Sequence, residues 1–265
     1  MPPSLTYLPS TDSTNNRLKQ RLADGEPLPD GYCLYTFYQT AGRGQQGNSW
    51  ESERGCNLLF SYLFRPEALP ASHQFRLSML VSVAVADILA ELTGDKGISI
   101  KWPNDIYYHD RKICGILIEN QLAGSLVSTA VAGVGINVNQ TAFVSDAPNP
   151  VSLRQITGRC FDLDSLMTSL HDRFRRLTPM LSYTPDAGND DTLRQLYMSR
   201  LYRSEGWHLY KERTVSLEPV TIIQGDTEGA FEARIVDVDA DGCLCLMRRD
   251  GSIKRYHFKQ LRFVI

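Results

Sequence analysis

The chain contains 265 residues, of which 42% are hydrophobic and 22% are charged, as is usual for a water-soluble globular protein. Its formal net charge of -2 excludes a chain-wide positive field, so DNA binding would need a separate module. The N terminus lacks the positive start and apolar stretch of a signal peptide, and the longest apolar region, residues 79–89, is interrupted by Ser82 and Asp87. We therefore expect a cytoplasmic protein without a membrane segment.

The cysteines and histidines show no spacing typical of a metal or redox site. No two cysteines form a CxxC pair, and the five histidines form no HExxH motif. We therefore interpret the thiols as reduced core residues, and neither residue type implies a metal site. The cysteines are Cys33, Cys56, Cys114, Cys160, Cys243 and Cys245.

The N-terminal part of the chain predicts a helix and then two strands around a polar loop. Ser13 is a candidate hydroxyl N-cap, because apolar residues spaced four positions apart follow it. Residues 32–38 and 57–64 are rich in aromatic and aliphatic side chains, which predicts two strands. The glycine-rich stretch 41–55 between them is predicted to be a functional loop.

The middle of the chain predicts a buried helix and further strands. Residues 75–92 are apolar almost all round, with Ser72 as a candidate cap, which is typical of a buried helix. Short β-rich runs follow at residues 98–102, 113–119 and 126–139. Together these elements predict an α+β fold, with a mainly antiparallel or mixed sheet flanked by helices.

The C-terminal part predicts two more helices and then a series of short strands. Helical spacing covers residues 163–181 and 192–202. Beyond Thr214, short alternating runs joined by Asp-Gly turns are typical of a small β-barrel or meander. We therefore predict a first domain over residues 1–214 and a second over 215–265 that packs on it. The β runs are residues 231–238, 243–247 and 253–258.

Residues 39–50, with the sequence QTAGRGQQGNSW, form the most specific segment. Glycines surround Arg43, so backbone N–H groups can approach an anion while the guanidinium binds a carboxylate or phosphate. A Walker loop is excluded because Gly-Lys-Ser/Thr is missing, and a dinucleotide-binding GxGxxG because no helix opens after it. We interpret the segment as an anion-binding loop closed by Trp50; a bland exposed loop is the alternative.

The segment Lys101-Trp102-Pro103-Asn104-Asp105 follows a short predicted strand. The proline forces an extended or turned backbone at Trp102, so the strand would deliver Lys101 and Asp105 to one end. A lysine suits phosphate, and a carboxylate suits Mg²⁺ accompanied by phosphates. An ordinary surface salt bridge is the alternative.

Two glycine-containing strands complete the set of candidate segments. Lys112 stands at the mouth of an apolar strand in which Gly115 leaves room for a ligand or another backbone to approach. The GVGIN segment at residues 133–137 places small residues beside Asn137, whose amide can bond a base or ribose. Each segment alone is more typical of a core strand, so the functional interpretation depends on their occurrence together.

In this order, the segments resemble the biotin–protein ligase family over nearly the whole chain. The resemblance implies a class II synthetase-like catalytic domain followed by an SH3-like β-barrel, in agreement with the predicted elements. It also implies that biotin, ATP and Mg²⁺ are used, and that the acceptor is a biotin carboxyl carrier protein of a biotin-dependent carboxylase. The matching motifs are Ser13-Thr14-Asn15, Gly42-Arg43-Gly44-x-x-Gly47 with Trp50, Lys101-Trp102-Pro103-Asn104-Asp105, Lys112 with Gly115, and Gly133-x-Gly135-x-Asn137.

The resemblance also assigns roles to individual residues. Arg43 and Lys112 are expected to be catalytic through their charge, because joining a carboxylate to the α-phosphorus brings anions together. Asp105 is the expected Mg²⁺ ligand. The implied biotin ligands are Ser13, Thr14, Asn15, Gln39, Arg43, Gly44, Gln45, Lys112 and Gly115. The implied ATP or adenylate ligands are Arg43, Trp50, Lys101, Asn104, Asp105, Lys112 and Asn137.

The sequence departs from the family pattern at two places. Gln45 stands where the family loop often has Arg, and Asn48 where repressor-type members commonly have Arg, so weaker retention of the adenylate is expected. Only twelve residues precede Ser13, too few for a helix-turn-helix domain, so we expect a ligase that binds no operator DNA.

Two other functions compete with the ligase interpretation. A lipoate- or octanoate-transferring relative would share the fold, although the Trp50-closed loop and the barrel favour biotin. A degenerate first domain serving a binding module is disfavoured by the joint presence of Arg43, Lys101, Asp105 and Lys112. The sequence leaves open whether the chain dimerises, since exposed sheet edges can pair with a carrier or with a second copy.

Overall fold

The computed structural model describes residues 4–44, 49–94, 97–144, 149–182, 191–213 and 229–265. Within these residues, seven strands form a mixed sheet; they are β1 (Leu5–Leu8), β2 (Cys33–Thr36), β3 (Leu58–Phe64), β4 (Ile98–Lys101), β5 (Asp105–Tyr108), β6 (Arg111–Ala123) and β7 (Leu126–Ile136). Their order is β1-β2-β3-β7-β6-β5-β4. β1 and β2 run parallel, and the other neighbours run antiparallel.

Helices cover both faces of this sheet. The helices are α1 (Thr14–Ala23), α2 (Phe75–Thr93), α3 (Leu153–Thr157), α4 (Leu163–Leu177) and α5 (Thr192–Ser199). The first packs against β3 and β7, whereas α2 lies in the main core between the sheet and α4 and α5. Because side chains of a strand alternate between faces, β3 sends Phe60 and Tyr62 to the α2 side and Ser61 and Leu63 to the α1 side.

A second, smaller sheet follows, with strands β8 (His208–Glu212), β9 (Ala230–Val238), β10 (Leu244–Arg248), β11 (Ile253–Tyr256) and β12 (Leu261–Phe263). Its order is β11-β10-β9-β8-β12, and its neighbours pair antiparallel. It packs on the first sheet at Trp102, whose indole nitrogen donates to the carbonyl of Gly242 at 2.9 Å and whose ring lies 6.1 Å from that of Phe258.

The expected α+β class is confirmed, and the small C-terminal sheet fits the expected SH3-like unit. The domain boundary after residue 214 stays a prediction, although β8 of the second sheet lies before it. No helix in the described part of the chain combines the length and apolarity needed to span a membrane.

Several local predictions were wrong. Ser13 occupies the N-cap position of α1 but makes no capping hydrogen bond with its side chain. Ser72 lies in a short 3-10 turn, and Gln74 is the N-cap of α2. Cys160 is exposed, unlike the other thiols. The last predicted helix stops early, because the backbone at residues 200–202 bonds to Ile100 on the free edge of β4.

Candidate active site

The candidate residues gather on the face of the first sheet that α1 covers. Strand pairing sets Gly115 of β6 beside Gly135 of β7, and Gly133 beside both Leu117 and Ser61. Because these positions share one side of the pleat, they form a continuous strip across β3, β7 and β6. The strip has a polar end near α1 and a cationic end at β4 and β5.

The middle of the strip is a glycine floor beneath the indole of Trp50. A Cβ atom on Gly115 would lie 2.6 Å from Cζ3 of Trp50, and one on Gly135 would lie 2.6 Å from its Cε2. Any larger residue at either position would therefore push the indole away. Trp50 is held in turn by its backbone N–H, which donates to the carbonyl of Gly42 at 3.0 Å, and by the bridge between Arg43 and Ser49.

Part of the predicted loop, Gln45, Gln46, Gly47 and Asn48, lies outside the described residues. The structure describes the loop up to Gly44 and again from Ser49. Arg43 is exposed and donates to Oδ1 of Asn16 at 2.7 Å, so its guanidinium is held against the start of α1. This places the cation of the loop beside the polar end of the strip.

The polar end is a closed network of side chains. Oε1 of Gln39 accepts from the backbone N–H of Thr14 at 2.7 Å and from its hydroxyl at 3.1 Å. The hydroxyl of Ser61 lies 2.8 Å from Oγ1 of Thr14 and 2.5 Å from Oδ1 of Asn15. Nδ2 of Asn15 donates to Glu119 at 3.0 Å. These groups are fixed in direction before any ligand arrives, which suits recognition of a neutral polar head group.

A carboxylate closes this network from the far side. Glu119 accepts from Nζ of Lys19 at 2.7 Å as well as from Asn15. Although burial acts to raise the pKa of Glu119, the hydrogen bonds from Lys19 and Asn15 hold that pKa below its ordinary value. Glu119 therefore stays ionised at neutral pH and fixes the orientation of the Asn15 amide.

The cationic end brings together the three charged residues predicted for it. Nζ of Lys112 lies 2.7 Å from Oδ2 of Asp105 and 5.8 Å from the centre of the Trp50 ring. Lys101 and Asp105 are direct partners across the β4–β5 hairpin, so two strands deliver them, rather than the single strand that the sequence predicted. The cations therefore lie next to the glycine floor, where an anion above Trp50 can meet them.

Lys101 is partly enclosed by aromatic side chains. Its Nζ donates to the hydroxyl of Tyr107 at 3.0 Å. Burial lowers the pKa of Lys101 to about 8, while the nearby carboxylate of Asp105 acts in the opposite direction. The amine therefore remains largely charged at neutral pH but is weakly solvated, which strengthens its attraction for an anion.

Three predicted ligands are placed differently. Asn104 is buried and lines a groove of about 360 Å³ between the two sheets, together with Gly242 and Phe258. Asn137 is also buried, and its Nδ2 donates to the carbonyl of Val151 at 3.1 Å, a contact that anchors the segment before α3. Ser13 is buried at the start of α1. Their roles as ligands stay predictions.

The residues present fit a nucleotide-borne magnesium ion better than a resident metal. No group of three or more His, Cys, Asp or Glu residues in the described ranges could hold a metal ion. Asp105 is a single carboxylate that already pairs with Lys112. Magnesium needs few protein carboxylates when phosphates supply its other ligands.

Sequence reasoning missed four residues that shape the site. Ser61 is the only hydroxyl residue flanked by apolar neighbours in β3, and Glu119 ends the apolar run of β6, so both had a local signal. Tyr107 follows Asp105 on β5, a strand that was not predicted. Phe263 comes from the second sheet, and nothing in its local sequence indicates its contact with Lys101.

Comparison with known proteins places the chain among ligases. Residues 7–137 match the model of the biotin/lipoate A/B protein ligase family. The bifunctional ligase/repressor BirA of Escherichia coli is 33% identical over 260 residues, which cover 95% of this chain and 71% of that protein. The biotin–[acetyl-CoA-carboxylase] ligase of Paracoccus denitrificans is 32% identical over 176 residues, which cover 64% of this chain and 70% of that protein.

A solved structure agrees with these sequence relatives. The biotin protein ligase from Aquifex aeolicus in complex with biotin and ATP superposes with a TM-score of 0.69 at 25% identity. The superposition covers 98% of each chain, so the likeness includes the second sheet as well as the first.

Proposed function

The chain belongs to the biotin/lipoate A/B protein ligase family and is a biotin–protein ligase, and we propose that it joins biotin to a carrier lysine in two steps. In the first step, ATP and biotin give biotinyl-5′-AMP and pyrophosphate. In the second step, the biotinyl group passes to the lysine, and AMP is released. Both steps would take place on the strip between Gln39 and Lys101.

The order of chemical groups along the strip is the observation that supports this proposal most. The network of Thr14, Asn15 and Gln39 offers fixed hydrogen-bonding groups to the ureido head of biotin. The glycine floor seats the indole of Trp50, so the ring itself forms the apolar surface between this network and Lys112. Lys112 lies beyond it, where the carboxylate of biotin would meet the α-phosphate of ATP.

The residues of the cationic end would act by charge. The biotin carboxylate oxygen attacks the α-phosphorus, the bond to the β-phosphate oxygen breaks, and pyrophosphate leaves with its negative charge. Lys112 would stabilise the charge that accumulates around the α-phosphorus, and no covalent enzyme intermediate is needed. Arg43 lies beside the polar end, where it donates to Asn16, so its expected catalytic role stays a prediction. Magnesium, when bound with the nucleotide, supplies further neutralisation of the phosphates, and Asp105 is the residue that would hold it.

The second step uses a nucleophile from the carrier. The lysine amine, in its neutral form, attacks the carbonyl carbon of the mixed anhydride, AMP leaves, and the amine loses a proton. Relatives that act on acetyl-CoA carboxylase indicate that the acceptor is a biotin carrier, and we propose the carboxyl carrier protein of a biotin-dependent carboxylase. The expected cytoplasmic location and the absence of DNA binding stay predictions, as does the pairing of a sheet edge with a second copy of the chain.

Pyrophosphate release tests the proposal directly. The protein is mixed with ATP and Mg²⁺ and with biotin, lipoate or octanoate in turn, and an apo carrier domain is then added. We expect release with biotin only, followed by labelling of the carrier. Release with lipoate alone would assign the chain to the lipoate ligases of the same family, and no release with any acid would contradict the ligase function.

A further inference from the structure

Lys101 lies between aromatic rings that belong to different sheets. Its Nζ is 4.5 Å from the centre of the Tyr107 ring on β5 and 5.5 Å from the centre of the Phe263 ring on β12. Both rings are almost completely buried. A cation within about 6 Å of a ring centre is attracted by the negative face of the ring, and the attraction grows when water is excluded.

The ring from the second sheet is itself held firmly. Phe263 pairs with Tyr210 in the β12–β8 register, and the two rings are 5.1 Å apart in an edge contact. The centre of the Phe263 ring also lies 6.0 Å from that of the Tyr202 ring, which in turn lies 5.7 Å from that of the Tyr107 ring. The aromatic side chains therefore form one connected wall that extends from the second sheet to the amine of Lys101.

A lysine needs such a wall more than an arginine would. Its ammonium group is a compact charge on a flexible stem, without the rigid fork that orients a guanidinium. Enclosure by Tyr107 and Phe263, together with the hydrogen bond to the tyrosine hydroxyl, limits the positions that Nζ can take. The amine is thus held beside Asp105 and Lys112 before a substrate binds.

We propose that Tyr107 and Phe263 are positioning residues for Lys101, whose rings hold its amine where the triphosphate of ATP would bind. This inference rests on the proposed function, because the binding of the triphosphate by Lys101 belongs to that function.

The test replaces Phe263 by Leu, which keeps the apolar bulk and removes the ring. We expect the KM for ATP to rise between about 5-fold and 30-fold, the range of a partly desolvated cation–π pair. The affinity for biotin without ATP should stay unchanged, and transfer from added biotinyl-5′-AMP to the carrier should keep its rate, since neither involves the triphosphate. Phe263→Tyr, which retains the ring, should restore the KM for ATP.

Trp207→Leu is the matched control. Trp207 lies directly before β8, and the guanidinium carbon of Arg249 is 4.0 Å from its ring centre, so this variant also loses a cation–π pair of the second sheet. It should leave the KM for ATP unchanged. An equal rise in this KM for both variants would mean that general loosening of the second sheet causes it, and would overturn the proposal.

A double-mutant cycle separates positioning from packing. In a Lys101→Met background, Phe263→Leu should change the KM for ATP by less than about twofold, because the residue on which it acts is gone. An equal fold-change in the KM for ATP in the wild-type and Lys101→Met backgrounds would contradict the proposal. So would an unchanged KM for ATP in folded Phe263→Leu protein. Failure of the proposed function is a different result, because the wild-type protein would then release no pyrophosphate with biotin.

Discussion

The polar end of the strip and its cationic end are built from different parts of the molecule. The polar end uses α1, β3 and β6 together with Gln39, which follows β2, and its side chains bond to one another, as Ser61 does to Thr14 and Asn15. The cationic end draws on both sheets, since Lys101 on β4 contacts Phe263 on β12.

This difference fits the two kinds of ligand that we propose for the two ends. A neutral head group is recognised by donors and acceptors of fixed direction, so the groups that bind it need hydrogen-bonded support nearby. Phosphates are recognised mainly by charge, which acts over longer distances and tolerates flexible stems, provided that water is kept away. The packed polar network would supply the groups of fixed direction. The aromatic wall from the second sheet would keep water away from the cations.

The largest expected effect comes from removing Lys112, the cation that we propose to act at the α-phosphorus. We expect Lys112→Ala to lower the rate of pyrophosphate release by about 10²-fold to 10³-fold, as loss of one group that stabilises transition-state charge does. Biotin binding in the absence of ATP should weaken far less, because the polar end remains intact. The rate of pyrophosphate release is measured in quenched time courses, and biotin affinity is measured by titration calorimetry.

The control for this variant is Lys254→Ala, which removes an exposed lysine that pairs with Glu212 at 3.0 Å on the second sheet. It should leave both half-reactions unchanged. Normal adenylate yield from folded Lys112→Ala protein would contradict the electrostatic role of Lys112, and a parallel loss of biotin binding would show that the two ends are not independent.

The two ends should also respond differently to pH. Burial lowers the pKa of Lys101 to about 8, so this residue is charged below that pH and loses its charge above it. We expect kcat/KM for ATP, which reports groups of the free enzyme, to fall about tenfold for each pH unit above this value. Biotin affinity should stay flat over the same range, because Glu119 has its pKa held below its ordinary value and remains ionised.

Lys101→Arg provides the control, since a guanidinium stays protonated throughout this range. Its kcat/KM for ATP should be lower than that of the wild type at neutral pH but should lack the alkaline fall. An unchanged alkaline fall in this variant would assign the titration to another group.

A smaller effect, on biotin affinity rather than on the KM for ATP, is expected at the polar end. Ser61→Ala removes the hydroxyl between Thr14 and Asn15, and one hydrogen bond is worth about 1 kcal/mol, so biotin should bind about fivefold more weakly. The KM for ATP should not change. Ser82→Ala is the matched control, because Ser82 is equally buried but donates to the carbonyl of Ser78 inside α2, away from the site. Equal losses of biotin affinity in both variants would indicate a general effect on folding.

The same comparison explains how far the sequence could predict the structure. Glycines and charged residues gave local signals, so the floor at Gly115 and the cations Lys101 and Lys112 were identified before the structure. The strand β5 was missed because it is short and begins at a charged turn. Phe263 was missed for a different reason: its role depends on the packing of two sheets, and neither periodicity nor a motif encodes that contact.

The smallest expected effect concerns the cations of the loop. Gln45 stands where the family loop often has Arg, and Gln45→Arg adds a positive charge to a segment that already contributes Arg43. An exposed ion pair is worth about 0.2–1 kcal/mol, so release of biotinyl-5′-AMP should slow by no more than about fivefold. Gln45→Met, which keeps the length without a charge, should release the adenylate as the wild type does. Equal release from all three proteins would mean that retention is set by the fixed groups of the strip rather than by the charge of the loop.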